Sequence, residues 1–160
     1  MSASGGKAIM DAIKQWRKDR TGKLTSPIAE AGAFIKSRDD LETPDLQLHF
    51  APGIVDDHGR KMHAGHGMSI HLSLLKPNSV GRVSLKSGDP LQAPLINPQY
   101  LSHGDDVARL VAGFKKVRQL FQHEAFASIR RKELHTRGVA DDDAIAGWIR
   151  KRSDTLYHPV

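Results

Sequence analysis

The sequence contains no cysteine among its 160 residues. A disulfide, a thiolate metal site and a cysteine nucleophile are therefore all excluded. No apolar run is long enough to span a bilayer, and the first ten residues lack the apolar stretch of a signal peptide. We therefore expect no integral membrane segment and a cytoplasmic protein, either free or held peripherally at the inner face of the membrane.

Aromatic residues are also scarce, at 6%, although the net charge is +6 and the pI is near 9.7. The basic residues are spread from Lys7 to Arg152, with only two short clusters at residues 130–132 and 150–152. Neither cluster is interleaved with aromatic side chains, so a solvated basic surface explains the charge better than a nucleic-acid site. We expect no nucleic-acid partner. A non-catalytic basic module that binds acidic partners remains an alternative function.

Hydrophobic residues make up 39% of the sequence. Where they recur at helical spacing, they predict three helices. The first covers residues 7–20 and is amphipathic and basic; it packs on its own domain or lies on a membrane surface. The second runs from Gly104 to about Gln122, with Ser102 and Asp105 arranged as a capping box. The third opens at residues 141–143, where three aspartates favour the positive end of the helix dipole.

Alternating apolar and polar residues predict three strands, over residues 45–54, 68–74 and 82–86. The connections between them are short, which favours antiparallel pairing. In the third strand Val83 and Leu85 are expected to point inward, and residues 94–98 form an extended segment between prolines. The fold class is therefore α+β, an antiparallel β-sheet with flanking helices.

Glu30 is the single carboxylate within an apolar run of small residues, 24–35. The run predicts a buried strand, and a buried unpaired charge is costly, so Glu30 requires a partner. Two interpretations stay open: a structural carboxylate paired with an arginine or with backbone amides, or a residue that faces a substrate.

Four histidines near the middle of the chain are candidate metal ligands: His58, His63, His66 and His71. Zinc requires three or four ligands held at fixed geometry. The loop that carries most of them contains two glycines and no helical pair to orient the imidazoles. We therefore predict no metal site and interpret the segment as a polar loop leading into a strand.

The sequence ends with Tyr157-His158-Pro159-Val160. Histidine is the usual general acid or base near neutral pH. Pro159 removes a backbone donor and forces the preceding residue out of the helical region, which places His158 on a stiff, non-helical segment. The alternative is a surface histidine at a frayed terminus.

Five segments in this order resemble the C-terminal half of the glucose–methanol–choline (GMC) family of flavin-dependent oxidoreductases. They are Ala29-Glu30-Ala31-Gly32, Pro44-Asp45-Leu46-Gln47-Leu48-His49-Phe50, Gly81-Arg82-Val83-Ser84-Leu85-Lys86-Ser87, Pro94-Leu95-Ile96-Asn97-Pro98 and Tyr157-His158-Pro159-Val160. The resemblance implies a partial, truncated substrate-binding domain over residues 22–160 that ends at the catalytic-histidine segment. Residues 1–21 form a basic N-terminal helix or leader outside it.

The resemblance further implies an enzyme that oxidises a primary alcohol to an aldehyde, with hydride transfer to FAD. An alcohol dehydrogenase is the nearer likeness and a choline dehydrogenase the second. His158 would be the catalytic residue, Glu30 a substrate-binding residue, and Pro159 and Val160 would lie beside the flavin.

Two family features are missing from the sequence. It has no Gly-x-Gly-x-x-Gly fingerprint for a dinucleotide, and the family's second catalytic residue, a histidine or asparagine farther downstream, is absent. We therefore expect a chain that is inactive alone, does not retain FAD and self-associates. Its expected partners are the alcohol and a flavin-binding half, in the same polypeptide or as a separate chain.

Overall fold

The computed structural model describes residues 3–61, 63 and 65–156. Three α-helices lie in this part of the chain, α1 (Ala3–Asp19), α2 (Gly104–Gln122) and α3 (Asp142–Arg152). The strands are β1 (Ala31–Ile35), β2 (Leu46–Ala51), β3 (Ser69–Leu74), β4 (Arg82–Ser84) and β5 (Leu95–Asn97). The predicted α+β class and the three predicted helices are confirmed. Within the described residues no helix is both long and apolar enough to cross a membrane.

The chain divides into two compact units. The first combines the stretch up to Ala33 with residues 48–71, and the second combines residues 34–47 with the stretch from Leu72 onward. The predicted domain boundary between residues 21 and 22 stays a prediction.

Strands β1, β2 and β3 form a sheet in that order. The Glu30 amide donates to the Phe50 carbonyl at 3.0 Å, and the Asp45 amide donates to the Ile35 carbonyl at 3.2 Å. Residue numbers therefore fall on β2 as they rise on β1, which defines an antiparallel pair. The prediction of a buried strand over residues 24–35 is wrong: β1 is short and mostly exposed, because it lies at the edge of this sheet.

The core of the second unit is built from six buried side chains, Leu46, Val107, Leu110, Val111, Ile145 and Ile149. The members on α2 recur at helical spacing, so one stripe of that helix faces α3 and β2. Gly113 continues this stripe; a Cβ there would meet the Leu46 Cδ1 atom at 2.7 Å. Each fully buried aliphatic side chain contributes roughly 1.5–3 kcal/mol.

Strands β4 and β5 form a separate antiparallel hairpin, with Val83 opposite Ile96. The prediction that the third strand pairs with the second is wrong, because the ten-residue connection after β4 brings the chain back as β5, which is the pairing partner of β4. The prediction that Val83 and Leu85 point inward is also wrong, since they are 70% and 84% exposed. A glycine at position 81 is required, because a Cβ would meet the Asn97 carbonyl oxygen at 2.5 Å.

The base of the hairpin is anchored by Asp106, whose side chain is completely buried. Its carboxylate accepts from the Asn78 and Ser79 amides at 2.8 Å, from the Ser79 hydroxyl at 2.5 Å and from Arg109 Nη2 at 2.7 Å. Burial raises the pKa of Asp106, but these hydrogen bonds outweigh it and hold the pKa below its usual range.

The N-terminus of α2 is capped by His103, not by Ser102 as the sequence predicts. The His103 Nδ1 atom accepts from the Asp105 amide at 3.2 Å, and its own amide donates to the Ser79 hydroxyl at 3.0 Å. The second hydrogen bond explains the difference, because it fixes His103 in the capping position. His103, six residues after β5, and Ser79, three residues before β4, are therefore held at one helix end.

Candidate active site

The predicted catalytic and flavin-contacting residues, His158, Pro159 and Val160, lie outside the described residues. Their roles stay predictions. The remaining predicted site residue, Glu30, is described and lies immediately before β1 in the first unit.

The Glu30 side chain is exposed. Only its backbone is fixed, by the hydrogen bond from its amide to the Phe50 carbonyl. No hydrogen bond or ion pair joins its carboxylate to any of the residues that the structure describes, so the structural pairing with an arginine or with backbone amides does not occur there. An exposed, unpaired carboxylate is free to meet a cationic or hydrogen-bonding group supplied from elsewhere.

Two imidazoles, those of His49 and His71, form a second feature of the first unit. His49 lies on β2 and His71 on β3, the neighbouring strand of the sheet. The Nε2 atom of each is buried and has no hydrogen-bond partner among the described residues. Buried polar nitrogens are rarely left unsatisfied in native proteins, so these two atoms are candidates for contact with a bound polar group.

The electrostatics at His71 favour its neutral imidazole. Burial lowers the pKa of His71, and the nearby charges of His49 and His58 lower it further. A neutral imidazole has one nitrogen that accepts a hydrogen bond or a proton. His71 can therefore accept a hydrogen bond from a hydroxyl group near neutral pH.

Sequence reasoning missed this pair because it assigned His71 to the metal candidates and His49 only to the polar face of a strand. The available signal was the alternation itself, since both residues occupy polar positions of adjacent strands. Of the other metal candidates, His63 Nε2 lies 2.8 Å from the buried Asp56 carboxylate, and His66 is exposed. The expectation of no metal site stays a prediction.

The N-termini of α2 and α3 do not fit the pyrophosphate of FAD. Helix N-termini bind phosphates through free amides and a positive dipole end. The first turn of α2 carries Asp105 and Asp106, and the first turn of α3 carries Asp142 and Asp143. These carboxylates would repel a phosphate from both helices, so we derive no flavin-dependent step from the described residues.

A family model and two curated relatives match this chain. The GMC oxidoreductase family model matches residues 77–160. The alcohol dehydrogenase [acceptor] of Pseudomonas putida is 43% identical over 142 residues, which cover 88% of this chain and 26% of that protein. The mitochondrial choline dehydrogenase of Mus musculus is 36% identical over 91% of this chain and 24% of its own length.

A solved structure has a similar fold. A solved structure of an Aspergillus oryzae formate oxidase variant, studied for its FAD modification, superimposes with a TM-score of 0.74 at 20% identity. The match covers 93% of this chain and 31% of that one. The chain thus spans about a quarter of the length of the curated relatives it matches.

Proposed function

Because this chain belongs to the GMC oxidoreductase family, we propose that it forms the substrate-binding side of an FAD-dependent enzyme that oxidises a primary alcohol to an aldehyde. The observation that carries the proposal is the family match over residues 77–160, since it includes the segment that contains His158. The 43% identity to an alcohol dehydrogenase supports the substrate class.

His158 is the residue to which we assign the acid–base step. When the substrate carbon loses hydride, its hydroxyl proton must leave, and an imidazole near neutral pH accepts it or stabilises the alkoxide as it forms. The flavin, held by another part of the enzyme with Pro159 and Val160 beside it, supplies the redox chemistry.

His49 and His71 provide the positioning groups in this proposal. Their buried, unpartnered Nε2 atoms would accept hydrogen bonds from the alcohol or from a water that contacts it. The lowered pKa of His71 keeps at least one of these acceptors neutral, so that it does not compete with the substrate for a proton.

Glu30 bears on the choice between substrates. An exposed carboxylate without a partner suits a cationic alcohol such as choline, and the mouse choline dehydrogenase matches 91% of this chain. The higher identity to the Pseudomonas putida enzyme favours an uncharged alcohol. We propose the uncharged alcohol as the first substrate class and choline as the second.

The proposed partner is a flavin-binding part, in the same polypeptide or as a separate chain. The proposed location is the cytoplasm, either free or peripherally at the inner face of the membrane. The basic helix α1, with Ile9 and Trp16 on one side, is the element that would contact such a surface.

A chimera tests the catalytic assignment. This chain replaces the matching 142 residues of the Pseudomonas putida enzyme, and alcohol-dependent reduction of the flavin is followed at 25 °C. We expect His158→Ala to lower kcat by about two to four orders of magnitude, the range for loss of a positioned acid or base. The exposed His66 provides the matched control, His66→Ala, which should keep full turnover and flavin content.

Full turnover in the His158→Ala chimera would refute the assignment. Joint loss of flavin and turnover would refute it as well, because it would make His158 a structural residue.

A further inference from the structure

We propose that the apolar face of the β4–β5 hairpin, formed by Val83, Leu85 and Ile96, is the surface on which the flavin-binding part of the enzyme docks. We call it the hairpin face. The identity of the partner rests on the proposed function, whereas the existence of a docking surface rests on the hairpin itself.

The hairpin face is defined by strand alternation. Val83 and Ile96 are directly opposite each other, so they share one face. Leu85 directly follows β4 and continues the two-residue spacing of Val83 in the sequence. These side chains are 70%, 69% and 84% exposed. A two-stranded hairpin is marginal in water without a packed face, and a contiguous exposed apolar patch marks an interaction site.

The opposite face of the hairpin has a different character. It carries Arg82, Ser84 and Asn97 together with Leu95. The hairpin therefore has one apolar and one largely polar side, the arrangement of a sheet that is covered on one side and solvated on the other.

Hydrogen bonds at the two ends of the hairpin fix its position before a partner binds. Asp106 binds the Asn78 and Ser79 amides before β4, and the Ser79 hydroxyl accepts from the His103 amide after β5. Both ends are thus fixed at the N-terminus of α2. A surface that is ordered before it meets its partner loses less conformational entropy on binding.

Two observations favour the flavin-binding part as the occupant. The hairpin lies inside the segment that the family model matches, so it belongs to the shared architecture. The matching stretch makes up only 26% of the Pseudomonas putida protein, which leaves the larger part of such an enzyme to cover this face.

The absence of native cysteine allows a direct test. Val83→Cys and Ile96→Cys each place one thiol on the hairpin face, and Ser84→Cys places one on the opposite face. Maleimide labelling is quantified by mass spectrometry of the hairpin peptide, in the isolated chain and in the Pseudomonas putida chimera. We expect the two thiols on the hairpin face to react at least about tenfold more slowly in the chimera, with the Ser84→Cys thiol unchanged.

Hydrogen exchange provides a second measurement that needs no substitution. Exchange of the segment that aligns with residues 82–97 should be at least about tenfold slower in the intact Pseudomonas putida enzyme than in the isolated chain. If a cysteine variant fails to fold in the chimera, this comparison decides the question.

Equal reactivity of the Val83→Cys thiol in the chimera and in the isolated chain would overturn the proposal. Protection that rises with the concentration of the isolated chain would assign the face to a second copy, and protection only on addition of anionic vesicles would assign it to lipid. Either result overturns the proposal. A chimera that protects the hairpin face but oxidises no alcohol would refute the proposed function alone.

Discussion

Replacing the buried carboxylate of Asp106 with an amide, Asp106→Asn, tests whether this carboxylate anchors the β4–β5 hairpin. The Asp106 and Arg109 side chains are 0% and 9% exposed, with 2.7 Å between Oδ1 and Nη2. Arg109 keeps Asp105 and Asp45 as ion-pair partners at 3.0 Å and 3.9 Å. The cost therefore comes mainly from the hydrogen bonds that the carboxylate accepts, at about 1.5–3 kcal/mol for each bond to a charged group. The amide NH₂ group would also face at least one of the donors that the carboxylate now accepts from.

The expected loss is therefore about 3–5 kcal/mol, a large part of the 5–15 kcal/mol typical of a domain. Urea unfolding at pH 7, followed by circular dichroism and by tryptophan fluorescence, measures it. With a slope near 2 kcal/mol/M, the midpoint should fall by about 2 M.

Asp40→Asn is the matched control, because the Asp40 side chain is 74% exposed and its ion pair with Arg38 is 3.3 Å long. Such a surface pair contributes at most about 1 kcal/mol. If Asp106→Asn lowered the unfolding free energy no more than Asp40→Asn, the carboxylate would not be the anchor, and the pre-ordered hairpin would lose its basis.

Two further predictions concern the same unit. Because hydrogen bonds outweigh burial and keep the pKa of Asp106 and Asp45 below the ordinary 3.8, their stabilisation is complete above that pH and is lost as the pH falls through the lowered values. Urea titrations between pH 6 and 2.5 should show this loss, and Asp106→Asn should flatten it. Gly113→Ala should destabilise by about 1–3 kcal/mol through contact with Leu46, whereas Gly147→Ala, with no atom within 4 Å of its Cβ, should not; equal melting temperatures for the two variants would contradict the packing argument.

The sequence predicted best where neighbouring residues decide the structure. The bounds of α2 follow from its apolar spacing, and the start of α3 follows from Asp141, whose carboxylate accepts from the Ala144 amide at 2.8 Å. Both signals act within one or two turns of a helix. Strand β2 was equally readable, since Leu46 and Leu48 alternate with polar residues and are buried.

It predicted poorly where the choice of partner is not local. The alternation around Val83 showed that one face of a strand is apolar, but not which element covers that face. The predictions that Val83 is buried and that its strand pairs with β3 were therefore both wrong. The juxtaposition of His49 and His71 depends on the pairing of β2 with β3, which neither residue reveals alone. The catalytic role of His158 came from the family resemblance and stays a prediction, because that residue lies outside the described part of the chain.

The anchor at Asp106 also has a consequence for the order in which the chain folds. Asn78 and Asp106 are 28 positions apart, and α2 packs against α3, the next helix along the chain. Closing a loop of this length costs little more than closing a shorter one, and structures with contacts close in sequence form fast. The hairpin, α2 and α3 should therefore assemble first. Leu46, synthesised long before Val111, must remain without its partners on α2 and α3 while the ribosome makes the intervening chain, and β2 is then exposed to aggregation.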